Sequence, residues 1–312
     1  MERITDYRAG APLPAWHGCI ATIGFFDGLH LGHRAILDTT ITWARMEKRR
    51  SLVLTFSIHP DLIVRGRAPE LLLSLDHRLR EIERTGIDAA IVLPFDQQWR
   101  ELSAEEFVDR ILVESLRVRG LVLGHDTAVG KDRRGDAKLL DRLGAERGFE
   151  VKSVGEIAID GEVVSSTRIR EALQRGDLAT ASRLLGRAPS VIGTVVPGDA
   201  RGRKLGFPTA NLDVESDCRP ADGVYAVLVV DGAQRHGGLC NIGRRPTFAG
   251  DHERVLEVHL LDFEGDLYGR RLEVVFLQRL RDERKFAGPD QLVAQIRADR
   301  EAAEEVLRRT RP

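Results

Sequence analysis

A chain of 312 residues is long enough for two ordinary domains, and 42% hydrophobic with only 5% aromatic residues suits aliphatic cores. Lys and Arg (47) balance Asp and Glu (48), and a net charge of -1 argues against a general nucleic-acid or membrane-surface binder, so an anionic ligand has to be held locally. Cys19, Cys218 and Cys240 never fall in a CxxC spacing, which argues against a disulfide framework or structural zinc and for a reducing, cytoplasmic setting. The opening MERITDYRAGAPLPAW reads as neither a signal nor a transit peptide, and no run approaches the about 20 apolar residues of a membrane span.

In chain order, residues 19–26 read as a strand and 33–50 as a helix with Ile36, Leu37, Thr40, Ile41 and Ala44 on one face. Residues 51–56 are a second strand, 74–86 a helix closed by Gly86, 88–95 a strand, 103–116 a helix and 120–124 a strand. This βαβ rhythm predicts a parallel sheet with ligands beyond the C-terminal strand ends. From about residue 190 the rhythm becomes short alternating runs (190–198, 223–232, 236–243, 254–263, 271–280), as in an antiparallel barrel or sandwich. In the last segment, 288–310, Leu292, Ile296, Ala303 and Leu307 form an amphipathic helical stripe that Asp299 interrupts. Gly and Pro in residues 184–190 place the boundary there, giving domains 1–186 and 187–312.

At the first strand end, GFFDGLHLGH sets His30 and His33 one turn apart at a helix start, where free backbone N–H groups and the helix dipole favour phosphate. Gly24, Gly28 and Gly32 precede and separate the histidines and Asp27 sits in the bend, as in a loop folded around a ligand, whereas an arbitrary HxxH is a solvated cap. A second helix start, SSTRIRE, offers Ser165, Ser166 and Thr167 with Arg168 and Arg170 nearby. In the second half, Gly193, Gly198, Gly202 and Gly206 alternate with Arg201, Arg203 and Lys204 in a loop that matches neither the Walker nor the Rossmann spacing. Its backbone can still approach a phosphate chain, although a ligand-free basic hairpin has the same composition. Thr209 and Asn211, on one side of an extended segment, are hard oxygen donors for Mg²⁺ on ATP. Leu256, Val258 and Leu260 alternate with Glu257 and His259, so Glu257 is either a general base or an ordinary polar-face residue.

GFFDGLHLGH with SSTRIRE resembles the HxGH nucleotidyltransferase superfamily. With LTFSIHP, VLPFDQQWRELSAEEFV and VGKDRRGD the first half is similar to the adenylyltransferase module of bacterial bifunctional riboflavin kinase/FAD synthetases. LGFPTANL, GVYAV, NIGRRPTF, LEVHLLDFEGDLYG and RLRDERKF resemble their riboflavin kinase domain, a small β-barrel with a C-terminal helix. The resemblance implies a Rossmann-like N-terminal domain in which Gly24, Asp27, His30, His33, Ser166, Thr167 and Arg170 hold ATP while FMN attacks its α-phosphorus, with no covalent enzyme intermediate. His59, Gly124 and Asp126 would border FMN. In the barrel, Gly198, Gly202, Lys204, Gly206, Thr209 and Asn211 would bind Mg-ATP, Glu257 would be the base for the riboflavin 5′-hydroxyl, and Asn241 and Arg245 would lie in a loop near the flavin. Riboflavin, FMN and ATP are then the expected partners, with no nucleic acid and no membrane.

GHDTAVG departs from the family pattern: Thr127 and Val129 stand where aromatic rings are expected, which implies weaker FMN binding or a changed acceptor. Phe25 replaces the usual Asn and is expected to lie in the strand, clear of any ligand. Trp43 and Trp99 read as packing residues, and RLRDERKF as a solvated charged face. Two alternatives stay open at this point: a riboflavin kinase whose N-terminal half is inactive or altered toward FMN, and a non-catalytic flavin- or nucleotide-binding regulator.

Overall fold

The computed structural model describes residues 1–5, 7, 18–198, 202, 206–246 and 252–310, without the side chains of 245, 246, 252 and 253. Two compact units emerge, Met1–Leu71 with Leu75–Ser166 and Leu72–Ser74 with Thr167–Pro312.

In the first unit, strands β1 (Glu2–Ile4), β2 (Cys19–Ile23), β3 (Arg50–Phe56), β4 (Ala89–Leu93), β5 (Val118–Gly124) and β6 (Glu150–Val154) form one parallel sheet in the order β1-β4-β3-β2-β5-β6. β2 and β4 are buried along their whole length, as strands covered on both faces must be. Helix α1 (Leu31–Met46) buries Leu37, Thr40, Ile41, Trp43 and Ala44. Its Trp43 lies against Gly120 of β5, where a Cβ would collide with the indole, and Lys152 Nζ sits 3.7 Å from the ring centroid. Trp43 is a packing residue, as expected. Helices α2 (Pro60–Arg65), α3 (Leu75–Glu83), α4 (Gln97–Glu101), α5 (Ala104–Phe107) with its π-helical continuation Val108–Ser115, and α6 (Ala137–Arg147) complete the layers. The sequence rhythm does not reveal β1, α6 and β6, two of which are edge strands with weak apolar patterning. Strand order reverses between β2 and β5, so the turn after β2 lies at the topological switch point, where α/β sheets bind ligands. The expected strand 19–26 ends earlier, at Ile23, and Phe25 therefore belongs to that turn, a correction with consequences below.

The second unit resolves the barrel-or-sandwich choice. After the small hairpin β7 (Ala158–Ile159) and β8 (Glu162–Val163) of the first unit come α7 (Ser166–Gln174) and α8 (Leu178–Leu185), then β9 (Ser190–Val196), β10 (Ala210–Val214), β11 (Gly223–Asp231), β12 (Gln234–Pro246), β13 (His252–Leu260) and β14 (Arg271–Arg281). These last six strands close an antiparallel barrel in the order β10-β13-β12-β11-β14-β9, because β9 pairs with both β10 and β14. Full closure leaves no open edge. Helix α9 (Pro289–Thr310) packs on it through Ala303, Val306 and Leu307, the last against Gly237 of β12. Asp299 does not interrupt the stripe. It is 5% exposed and forms a bidentate pair with Arg281, Nε to Oδ1 at 2.9 Å and Nη2 to Oδ2 at 2.7 Å. α8 packs on β14, so these helices belong by contact to the barrel unit although they precede residue 187.

Candidate functional sites

The turn between β2 and α1 is wound against ordinary backbone preference. Phe26 (φ 57°) and Leu29 (φ 42°) adopt left-handed conformations beside Gly28 (φ 78°), a local strain that persists only where the surroundings demand it. His30 is extended and caps α1, its Nδ1 accepting from the His33 backbone N–H at 3.3 Å. The two imidazoles stack with centroids 3.6 Å apart and planes 16° from parallel. A Cβ on Gly32 would lie 3.2 Å from the His30 ring, tight enough to disturb the stack. Burial, then His30 and the Arg78 charge, hold the His33 pKa well below its usual 6.5, so this ring is neutral at physiological pH. Its Nδ1 is buried without a hydrogen-bond partner among the described residues. Buried polar atoms are rarely left so.

Other predicted residues gather at the same strand ends. Asp27 is buried, and its carbonyl accepts from Ser166 Oγ at 2.9 Å, which ties the first residue of α7 to the histidine turn. Thr167 and Arg170 are the second and fifth residues of that helix, in the unit that begins at Thr167. Gly24 leads out of β2, where a Cβ would meet the Phe26 ring at 2.9 Å. His59 caps α2 by accepting from the Asp61 backbone N–H at 3.1 Å, and its ring meets Phe25 edge-on at 4.6 Å. Gly124 ends β5 and donates to Thr127 Oγ1 at 3.0 Å, and Asp126 is exposed. Val129 differs from what the motif comparison implies: it is 7% exposed, belongs to the aliphatic core and bridges to Gly135, so no ring is missing there from an open pocket.

Phe25 also departs from expectation. It lies in the turn after β2, not in the strand, and its ring centroid is 4.0 Å from the guanidinium of Arg78, a fully buried residue of α3 that the sequence patterns did not single out.

In the barrel, strand register assembles the second cluster. Glu257 on β13 pairs with Asn211 on β10 on one side and with Asn241 on β12 on the other, so the three side chains share one face. Leu256 and Val258 point to the opposite, buried face, as the alternation predicts. Thr209 Oγ1 lies 3.5 Å from Glu257 Oε2. A Cβ on Gly198 would collide with the Asn211 amide, and one on Gly202 would sit 3.3 Å from Thr209 Oγ1, so these two glycines lie close against the two side chains. Gly206 (φ 84°) turns the chain into β10. Lys204 lies outside the described residues, and Arg245 is placed by its backbone in β12, opposite Glu253. Glu283, read from sequence as part of a solvated run, is a second carboxylate here: it accepts from the Arg244 backbone N–H, and burial, then Asp222, with Glu257 contributing, hold its carboxyl above the ordinary range. Only the long-range return of the segment after β14 to β12 brings it there.

Comparison with known proteins follows the same division. A FAD synthetase family profile matches residues 13–168, and a riboflavin kinase family profile matches residues 185–307. A bifunctional riboflavin kinase/FMN adenylyltransferase of Pseudomonas fluorescens is 44% identical over 93% of both chains, and that of Escherichia coli K12 is 41% identical over 95% of both. A crystal structure described as a macrolide-efflux protein from Streptococcus pneumoniae superposes with a TM-score of 0.86 at 32% identity, covering 97% of this chain and 99% of that one. Among the described residues of this chain, no helix is long and apolar enough to cross a membrane.

Proposed function

This chain belongs to the bifunctional riboflavin kinase/FMN adenylyltransferase family and carries both activities, and we propose that they reside in the two clusters just described. The observation that carries the assignment is that polar side chains converge in two places, at the switch point of the parallel sheet and on the shared face of β10, β12 and β13. The kinase-only and non-catalytic alternatives are not favoured, since both family matches span their halves nearly completely.

In the barrel, the riboflavin 5′-oxygen attacks the γ-phosphorus of ATP, Glu257 takes its proton, and ADP departs as the bridging P–O bond breaks. Asn211 and Asn241 hold the Glu257 face in register. Thr209 and Asn211 fit Mg²⁺, because both present hard oxygen donors close against Gly198 and Gly202. The ion would neutralise phosphate charge there. Gly198, Gly202, Lys204 and Gly206 are assigned to ATP binding, and Asn241 and Arg245 to the strand and loop near the flavin.

In the parallel-sheet unit, an oxygen of the FMN phosphate attacks the α-phosphorus of the second ATP. The new P–O bond forms as the α–β bridge breaks, releasing diphosphate. His30 and His33 donate hydrogen bonds to phosphate oxygens at the start of α1, where charge builds up in the transition state. Gly24 and Asp27 shape the turn, and Ser166, Thr167 and Arg170 complete the phosphate grip. His59, Gly124 and Asp126 border FMN. Within this reading the modules divide at 186/187, and the three buried, unbridged cysteines suit a cytoplasmic enzyme.

Incubation with riboflavin, ATP and Mg²⁺, with the flavins resolved by chromatography, tests the assignment. Glu257→Gln should cut FMN formation by at least about 100-fold while leaving FAD formation from supplied FMN intact. His33→Ala should do the reverse. Loss of both activities in either variant, at normal folding, would contradict the two-site assignment.

A further inference from the structure

A buried guanidinium is expensive unless a carboxylate meets it. The Arg281–Asp299 pair of the barrel follows that rule. Arg78 does not. It is 0% exposed, and among the described residues it makes no ion pair. Its Nη2 donates to the Phe56 carbonyl at 2.5 Å, at the end of β3, while Nε and Nη1 have no hydrogen-bond partner. Its guanidinium lies 4.0 Å from the Phe25 ring centroid, and Phe25 touches His59 in turn. The contacts of Arg78 thus lie on the exits of β2 and β3, beside the switch point.

Resting on the assignment of adenylyl transfer to His30 and His33, we propose that Arg78 is a positioning residue of that site. In this role it is a fixed buried cation that ties the exits of β2 and β3 together and draws phosphate oxygens toward the histidine pair. Burial lowers its pKa to about 10, with Asp27 opposing the shift, so the charge persists at neutral pH. That charge is also felt at His33, so its field reaches the imidazoles. A cation in low dielectric acts on a phosphate without touching it. The buried Asp27 acts on Arg78 only at longer range, and a carboxylate in direct contact would cancel more of that field. The unpartnered nitrogens are the cost of keeping it.

The test uses the full-length chain and measures FAD formation from supplied FMN, with thermal unfolding as the control of folding in the parallel-sheet unit and riboflavin phosphorylation as that in the barrel. Arg78→Met should raise the KM for ATP, for FMN, or for both by about tenfold or more. A change confined to ATP assigns the field to the triphosphate, and one confined to FMN assigns it to the acceptor phosphate. Adenosine and lumiflavin, which lack phosphate, should inhibit the variant and the parent to the same extent. Arg78→Lys should recover most of the loss, and it decides the matter if Arg78→Met also depresses phosphorylation. Three results would overturn the proposal: unchanged KM values, equal weakening of the uncharged inhibitors, or a lysine variant no better than the methionine. His33→Ala is assayed alongside. Intact adenylyl transfer in that variant would remove the site assignment itself, whatever Arg78 does.

Discussion

At position 129 the family's usual aromatic residue has given way to valine, and the surroundings explain what a ring would meet there. A Cβ on Gly135 would lie 2.7 Å from Val129 Cγ2, and Val129 sits within the core of the parallel-sheet unit. Val129→Phe should therefore cost about 1–3 kcal/mol through overpacking, with no gain in FMN affinity, as read by thermal unfolding and the KM for FMN. His33 supplies a second prediction at this scale. Its folded-state pKa lies below the usual 6.5 of the unfolded chain, owing to burial, then His30 and Arg78. Above that value both states are neutral and the ring adds no slope. As pH falls through 6.5, the unfolded chain takes up a proton that the folded ring refuses, so stability is lost on acidification. Between about pH 7 and pH 5 the melting temperature should fall more steeply in the parent than in His33→Ala, by up to about 1.4 kcal/mol per pH unit in stability.

Among the elements, α9 shows how a charge can serve as a core contact. Its packed stripe runs through Asp299, Ala303 and Val306, and the carboxylate meets Arg281 of β14 while Gln295, one turn earlier, donates to Asp299 Oδ1 at 2.7 Å. Removing one partner of a pair buried at this depth leaves the other charge uncompensated. Asp299→Ala should destabilise the barrel unit by about 3–5 kcal/mol, measured by denaturant unfolding, and should lower the half-life of the kinase activity on heating. Apolar periodicity read Asp299 as a flaw because it scores side chains singly, whereas a bidentate pair is a property of two segments. The turn before α1 makes a related point. Its composition suggested a ligand loop, but the left-handed Phe26 and Leu29 are set by packing, not by residue preference.

For the molecule as a whole, the proposed separation of the two activities lets the intermediate leave one protein and enter another. Glu257→Gln alone should leave riboflavin unchanged, and His33→Ala alone should stop at FMN. An equimolar mixture should make FAD after a lag in which FMN accumulates, and a chromatographic time course checks this. Much of that organisation was legible in the chain itself. Strand, helix and turn arise from short-range periodicity and capping, so the βαβ rhythm and the later alternating runs determined the two fold types, and the spacings of His30 with His33 and Thr209 with Asn211 marked the two proposed phosphate motifs. Tertiary structure alone decided the order β1-β4-β3-β2-β5-β6, the closure of the barrel, the burial of Val129, the placing of Glu283 near Glu257 and the burial of Arg78 without an ion pair among the described residues. Each depends on which distant segments exclude water from a side chain, and burial of that kind has no local signature.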